Sequence, residues 1–316
     1  MSTDANAFVI VEPITITDSA LITSGSPPAT NVPENDYPAW SAGSTYAAGD
    51  RVILTSTHKI YESLLSGNIG NDPTQLSSPT YWIEVGPTNR WAAFDTSVST
   101  ATVQANNITY TLEPGAAITA LALLNLKNAT EVNITVVSPL SGSPGIVYQK
   151  SVSLISLPVS PDWWSWFYSI RRQQTQSIFT DLPAYPDGII TIELLGGSDL
   201  SVGVILIGQK QVFGLGIKYG ASIGIQDYSR KETNEFGDTV LVQRAFAKRA
   251  NFDLFINASE VDSLQLTLSE LRAVPCLWIG SNKYEATTVF GFYKNFDILI
   301  SYPEHSDCQL EIEGLT

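Results

Sequence analysis

Between Ala39 and Asp95, six aromatic residues recur between turn residues: Trp40, Tyr46, Tyr61, Tyr81, Trp82 and Trp91. The stretch opens A-W-S-A-G-S-T-Y-A-A-G-D-R-V from Ala39 to Val52. It continues through K-I-Y-E-S at Lys59 to Ser63 and Y-W-I-E-V-G at Tyr81 to Gly86, and runs on into P-T-N-R-W-A-A-F-D from Pro87 to Asp95. Gly49-Asp50 is a hairpin-turn signal ahead of the strand-like Arg51-Val52-Ile53-Leu54. A module of about 50 residues is too small for a deep apolar core. A few aromatics must form that core, and any left outside form a flat binding face.

The order W, Y-x-x-G-D-x-V, Y, P, W-x-x-x-G resembles small chitin-binding-type carbohydrate-binding modules. Trp40, Tyr46, Gly49, Asp50, Val52, Tyr61, Pro73, Trp82 and Gly86 carry the resemblance. It implies that Trp40, Tyr46 and Trp82 are framework positions, largely buried. Chitin-binding members carry a solvent-facing aromatic pair shortly after the second Tyr, and here that place reads Glu62-Ser63-Leu64-Leu65. Leucine offers no flat ring to a sugar, so Tyr61 and Tyr81 become the expected exposed rings. The candidate carbohydrate site is therefore Tyr61, Tyr81, Trp40 and Trp82.

The chain has 316 residues, enough for two or three domains, and is 44% hydrophobic. Its net charge is −14, from 31 acids against 17 bases, which disfavours a nucleic-acid backbone or an anionic membrane surface as the main partner. No run of 18 apolar residues exists, so no transmembrane helix and no membrane insertion are expected. Met1 to Asn6 lacks the basic region of a secretory signal. Charged residues make up 15%, and their places go to Ser, Thr, Asn and Gly. Sparse charge with abundant Thr, Val, Ile and aromatics suits β-rich proteins whose surfaces meet other protein. Cys276 and Cys308 are expected to be buried free thiols, with a bridge between adjacent strands as the alternative.

The expected fold class is all-β and multidomain: the aromatic module plus two β-sandwich or jelly-roll-like domains, with one short helix in the last. Residues 1–36 read as an N-terminal strand (Ala7 to Thr17) and a Ser/Gly/Pro linker, and residues 37–90 as the module. Residues 91–209 read as a β-sandwich, with strands at Asn107–Leu112, Ile118–Leu126, Glu131–Val137, Gly188–Leu195 and Ser201–Gly208. Gly196-Gly197-Ser198-Asp199 is the expected hairpin loop between the last two. Residues 210–316 read as a β-rich assembly domain. In it Asp227–Asp238 is an exposed hairpin or arm, and strands are expected at Thr239–Ala245, Asn251–Ile256, Thr288–Tyr293, Asp297–Ser301 and Asp307–Leu315. The helix starts near Ser259, where Ser259 and Asp262 resemble a capping box. Val261, Leu264, Leu268 and Leu271 form its apolar face, and Pro275 ends it.

Two histidines, His58 and His305, do not stand at metal-ligand spacings, so no metal or cofactor is expected. No nucleophile elbow, phosphate-binding loop or dinucleotide fingerprint occurs, and nothing selects a pair among the acids. No catalytic residue is assigned and no enzymatic activity is expected. In Asp162-Trp163-Trp164-Ser165-Trp166-Phe167-Tyr168, five aromatics fall in six positions, with Arg171-Arg172 just beyond. Core burial, a protein-interface anchor and a sugar platform are the three readings of that run.

A second resemblance rests on several stretches: P-T-N-R-W-A-A-F-D, D-W-W-S-W-F-Y with F-T-D-L-P-A-Y, Y-S-R-K-E-T at Tyr228–Thr233, R-A-F-A-K-R at Arg244–Arg249, and the ending L-E-I-E-G-L. These look like tail proteins of long-tailed bacteriophages. The resemblance implies a structural component of a tail tip or baseplate, carried in the virion and made in the host cytoplasm. It would oligomerise with itself and other tail proteins, and its aromatic module would contact host surface polysaccharide. Tyr228, Arg230, Lys231, Arg244, Lys248 and Arg249 are the expected assembly residues. A carbohydrate-binding adhesin, or an accessory of a glycan-processing system, is the alternative.

Overall fold

The computed structural model describes residues 7–21, 29–75, 78–139, 145–156, 162–168, 172–233 and 238–315, and they are mostly β. Contacts divide the chain into one unit of Met1–Ile14 with Ile207–Thr316, and a second of Thr15–Leu206.

In the first unit an antiparallel sheet runs from Val204–Phe213 through Phe8–Pro13, Cys276–Ile279, Thr288–Leu299 and His305–Gly314 to Phe246–Asn257. The sequence predicts residues 1–36 as a separate strand and linker. In the structure Phe8–Pro13 lies between Val204–Phe213 and Cys276–Ile279, with Phe8 to Val11 all buried. Four consecutive apolar residues suit a strand covered on both faces, and only strands distant in sequence supply that cover. Thr288–Leu299 is one strand with a register shift between Tyr293 and Asn295, where two strands were expected. An extra residue absorbed as a bulge keeps the ladder continuous.

The helix Val261–Glu270 buries Leu264 and Leu268, with Leu271 just beyond, against Phe8, Ile10, Phe252, Leu254, Trp278 and Leu310. The predicted apolar face is the one that packs. The predicted capping box does not form: no side chain caps this helix, and a 3₁₀ turn, Ala258–Glu260, precedes it. Glu260 instead accepts the Gly214 backbone N–H at 3.0 Å. Cys276 and Cys308 are free and fully buried. Thr288–Leu299 lies between their strands, and Cys276 faces Gly291 while Cys308 faces Ile298. Two strand spacings are about 9–10 Å, beyond disulfide reach. Burial pushes both thiols up to about 12, aided by Glu12 at Cys276 and Asp297 at Cys308.

In the second unit a five-stranded sheet pairs Gly145–Ser153, Lys127–Ser138 and Ile189–Val202, the last also taking Asn107–Leu112 and Thr102–Gln104. Ile108, Tyr110, Leu112, Ile134, Ile192 and Leu194 are fully buried, as are Leu121 and Leu123 of Ala120–Leu124, which pairs with Gln176–Phe179. Gly196 to Asp199 is not a hairpin loop but the middle of Ile189–Val202. A side chain on Gly196 would meet the Asn128 carbonyl oxygen at 2.2 Å, so the glycine serves close strand approach rather than a turn. The strand also changes partners there, from Asn107–Leu112 to Thr102–Gln104.

Candidate functional site

The module lies inside the second unit. Arg51–Leu54, Lys59–Ser63 and Trp82–Pro87 form an antiparallel sheet, and Thr45–Tyr46 pairs with Asn68–Ile69. Gly49, at φ +90°, makes a turn here, but not the hairpin that Gly49-Asp50 predicts, because Thr45–Tyr46 pairs with Asn68–Ile69 and Arg51–Leu54 with Lys59–Ser63; the Asp50 carboxylate accepts the Ala47 N–H at 2.7 Å. The core is Val52, Tyr61 and Trp82, flanked by half-buried Trp40, Tyr46, Leu54 and Tyr81. Tyr46 meets Trp82 edge to face at 5.2 Å, and the indole of Trp82 donates to the Asn71 carbonyl at 2.8 Å. The Trp40 indole nitrogen is buried with no hydrogen-bond partner among the described residues.

Tyr61 departs from expectation. It is 7% exposed, because its register opposite Val52 and Glu84 turns it onto the inner face of the central strand. Trp40 and Tyr46, expected to be largely buried, are half-buried instead. Each lies toward the edge of a core only three side chains wide. The apolar side chains the module exposes are aliphatic: Leu64, Leu65, Ile69, Ile83 and Val85.

A polar cluster that sequence spacing did not reveal joins the module to its neighbours in the same unit. Glu34 is 8% exposed at its side chain and accepts hydrogen bonds from His58 Nδ1 and Thr88 Oγ1, each at 2.9 Å. Arg90 Nη1 lies 3.6 Å from its other oxygen. His58 Nε2 is 2.9 Å from Asp18, close enough for an ion pair but not aligned as a hydrogen bond. The imidazole stacks on Trp91 at 4.2 Å. His58 sits in the turn between Arg51–Leu54 and Lys59–Ser63, at φ +56°. The one available signal was a lone histidine at a hairpin tip, and its partners come from segments 24 to 40 residues away in sequence.

The expected arm is a β-ribbon in the first unit. Ser222–Asp227 pairs with Phe246–Asn257, and beyond it Arg230–Thr233 pairs with Thr239–Val242. The sequence predicts a polar hairpin or arm over Asp227–Asp238 with a strand from Thr239. The hairpin forms with Thr239–Val242, but the ribbon is not only polar: it exposes Ile223, Ile225, Tyr228, Val240, Leu241, Val242 and Phe246. Arg230 pairs with Glu232 on its own strand, and Tyr228 reaches Glu313 at 3.4 Å. Arg244 and Arg249 are exposed. Lys248 is half-buried, and burial lowers its ammonium below the usual lysine range, so it is not part of a solvated basic face.

The aromatic run is not core. Trp163–Tyr168 is a short helix whose described rings are all exposed. Its five aromatics fall as an adjacent pair, Trp163-Trp164, and a run of three, Trp166-Phe167-Tyr168, without alternation, so no single strand face can take them inward. Among the described residues no group of three or more His, Cys, Asp or Glu is placed to hold a metal, and no helix is long and apolar enough to cross a membrane.

Fold and site together describe an all-β chain of two units, with a small aromatic module in one and a projecting ribbon in the other. No protein-family profile matches the sequence, and no curated protein does so. Among solved structures, it is similar to a mutant, selenomethionine-labelled form of chitosan-binding module 1 from a chitosanase/glucanase of Paenibacillus sp. IK-5. That likeness covers 38% of this chain and 84% of the other, at 16% identity and a TM-score of 0.25. A likeness at that level does not bear on what this chain binds.

Proposed function

We propose that the chain is a self-associating structural component of a bacteriophage tail tip or baseplate. It is made in the host cytoplasm and assembles with copies of itself and with other tail proteins. The observation that carries the self-association is the ribbon. Every described residue from Ser222 to Phe246 is exposed, and seven of them are large and apolar. A monomer gains no burial from such a projection, whereas a neighbouring subunit would cover it. The tail assignment itself rests on the motif resemblance. Low charge density supports extensive protein contact, and the reading contains no enzymatic step.

Carbohydrate binding by the module is the second reading, favoured by the Tyr46–Trp82 framework pair. With Tyr61 inside, Tyr81 and Trp40 are the rings left to meet a sugar.

The test excises residues 229–243 and joins Tyr228 to Arg244 through a short turn. The expected result is an intact fold, a lower mass by analytical ultracentrifugation and no incorporation into tails. Normal incorporation would sink the proposal. Pull-down on insoluble polysaccharide, repeated with Tyr81→Ala, reads the second function separately. Binding that Tyr81→Ala abolishes without unfolding supports it.

A further inference from the structure

A compact run of exposed aromatic rings lies outside both proposed sites. Strands Ile155–Ser156 and Arg172–Gln173 pair with each other, and between them in sequence lies the helix Trp163–Tyr168. Trp163 is 74% exposed, Trp164 58%, Trp166 46%, Phe167 68% and Tyr168 62%. Rings of this size carry roughly 150–250 Å² each, so the knob's exposed surface is comparable with a typical monomer's largest apolar patch.

Ring geometry sorts the candidate occupants. A saccharide chain stacks on coplanar rings. Here Trp163 and Trp164 stand at 84°, Trp164 and Tyr168 at 45°, and Phe167 and Tyr168 at 67°. An amphipathic helix in a protein groove presents a narrow stripe at i, i+3, i+4 and i+7, which needs two turns. This helix has six residues. At 100° per residue its five rings spread over about 200° of the circumference. A fluid interface that closes around a projection accommodates such a spread, whereas a rigid groove does not. The residue types agree: three Trp, one Tyr and one Phe, with no aliphatic among them. Trp and Tyr combine an apolar body with a polar edge and concentrate where bilayers meet water. The local charge agrees too. Residues 162–175 hold Arg171 and Arg172 against Asp162 alone, in a chain of net charge −14.

We propose that the Trp163–Tyr168 knob inserts into the interfacial layer of a lipid bilayer. The helix is about 9 Å long, which suits a depth of about 5–10 Å at the headgroup boundary and not a span. Insertion is driven by the rings, so it persists at high salt.

The test uses the full chain and phosphatidylcholine vesicles, with and without phosphatidylglycerol. Expected results are co-sedimentation, a blue shift of tryptophan emission, and quenching by lipids brominated near the headgroup end of the acyl chain. The triple variant Trp163→Ser/Trp164→Ser/Phe167→Ser, with unchanged circular dichroism, should partition roughly tenfold more weakly or worse. No emission shift with the unmodified protein overturns the proposal. Equal partition of the triple variant overturns it as well. A variant that loses oligomer mass, from a protein indifferent to vesicles, would make the knob a subunit contact instead. Excising residues 229–243 should leave vesicle binding unchanged, which separates this proposal from the ribbon's role in assembly.

Discussion

The module and the Trp163–Tyr168 helix are both built from aromatics, yet one turns rings inward and the other holds them out. In the module, Tyr61 and Trp82 sit on paired strands, where alternation sends neighbouring side chains to opposite faces. Their partners across the sheet close over them, and Tyr46 completes the enclosure. In the knob, aromatics crowd one and a half helical turns, where Trp163 meets Trp164, Trp164 meets Tyr168 and Phe167 meets Tyr168 ring to ring. Aromatic content therefore does not distinguish core from contact surface. Spacing against a paired backbone does.

The largest test of this contrast is Trp82→Ala, expected to cost on the order of 3–5 kcal/mol, as other buried aromatics do. Trp163→Ser should fall within about 0.5 kcal/mol of the unmodified protein. Urea denaturation of the two variants side by side checks both, and similar costs would collapse the distinction.

Within the module the contrast sharpens between two tyrosines. Tyr61→Ala removes a buried ring and should cost about 3 kcal/mol, while half-buried Tyr81→Ala should cost clearly less. Thermal melts order the pair.

The buried thiols extend inward burial to a site with no aromatic role. Their raised pKa means the folded chain keeps these protons while the unfolded chain, with ordinary thiols, releases them. Stability is therefore complete below about pH 8.5 and falls as pH rises toward about 12, by roughly 1–3 kcal/mol per thiol at about pH 11. Melts across that range should show a decline that Cys276→Val/Cys308→Val reduces. Mass spectrometry of protein alkylated in denaturant without reductant should find two labelled thiols.

A last test concerns how the module is held. His58→Ala removes the ring between Asp18, Glu34 and Trp91 and should cost about 1–3 kcal/mol. The module's own core should remain, so hydrogen exchange should rise around residues 88–91 and not at Tyr61. Uniform exchange through the module would show that its fold depends on this junction.

Several features were legible in the chain because their causes are local. Period-2 alternation marked Asn107–Leu112, and the 3.6-residue period marked the buried face of Val261–Glu270. Turn chemistry marked Gly49-Asp50, and low charge with abundant β-branched residues marked the all-β class. Other features depended on partners that no local pattern names. Phe8–Pro13 became an inner strand because strands some 200 and 270 residues away flank it. Gly196-Gly197 reads as a turn by composition, but a carbonyl from Asn128 required the missing side chain. Tyr61 went inside through its register with Val52 and Glu84, and Glu34 found His58, Thr88 and Arg90 only after three segments met. The physical reason is the same in each case. Propensity and periodicity act over a few residues, whereas burial and hydrogen-bond satisfaction are settled by whatever the folded chain brings alongside.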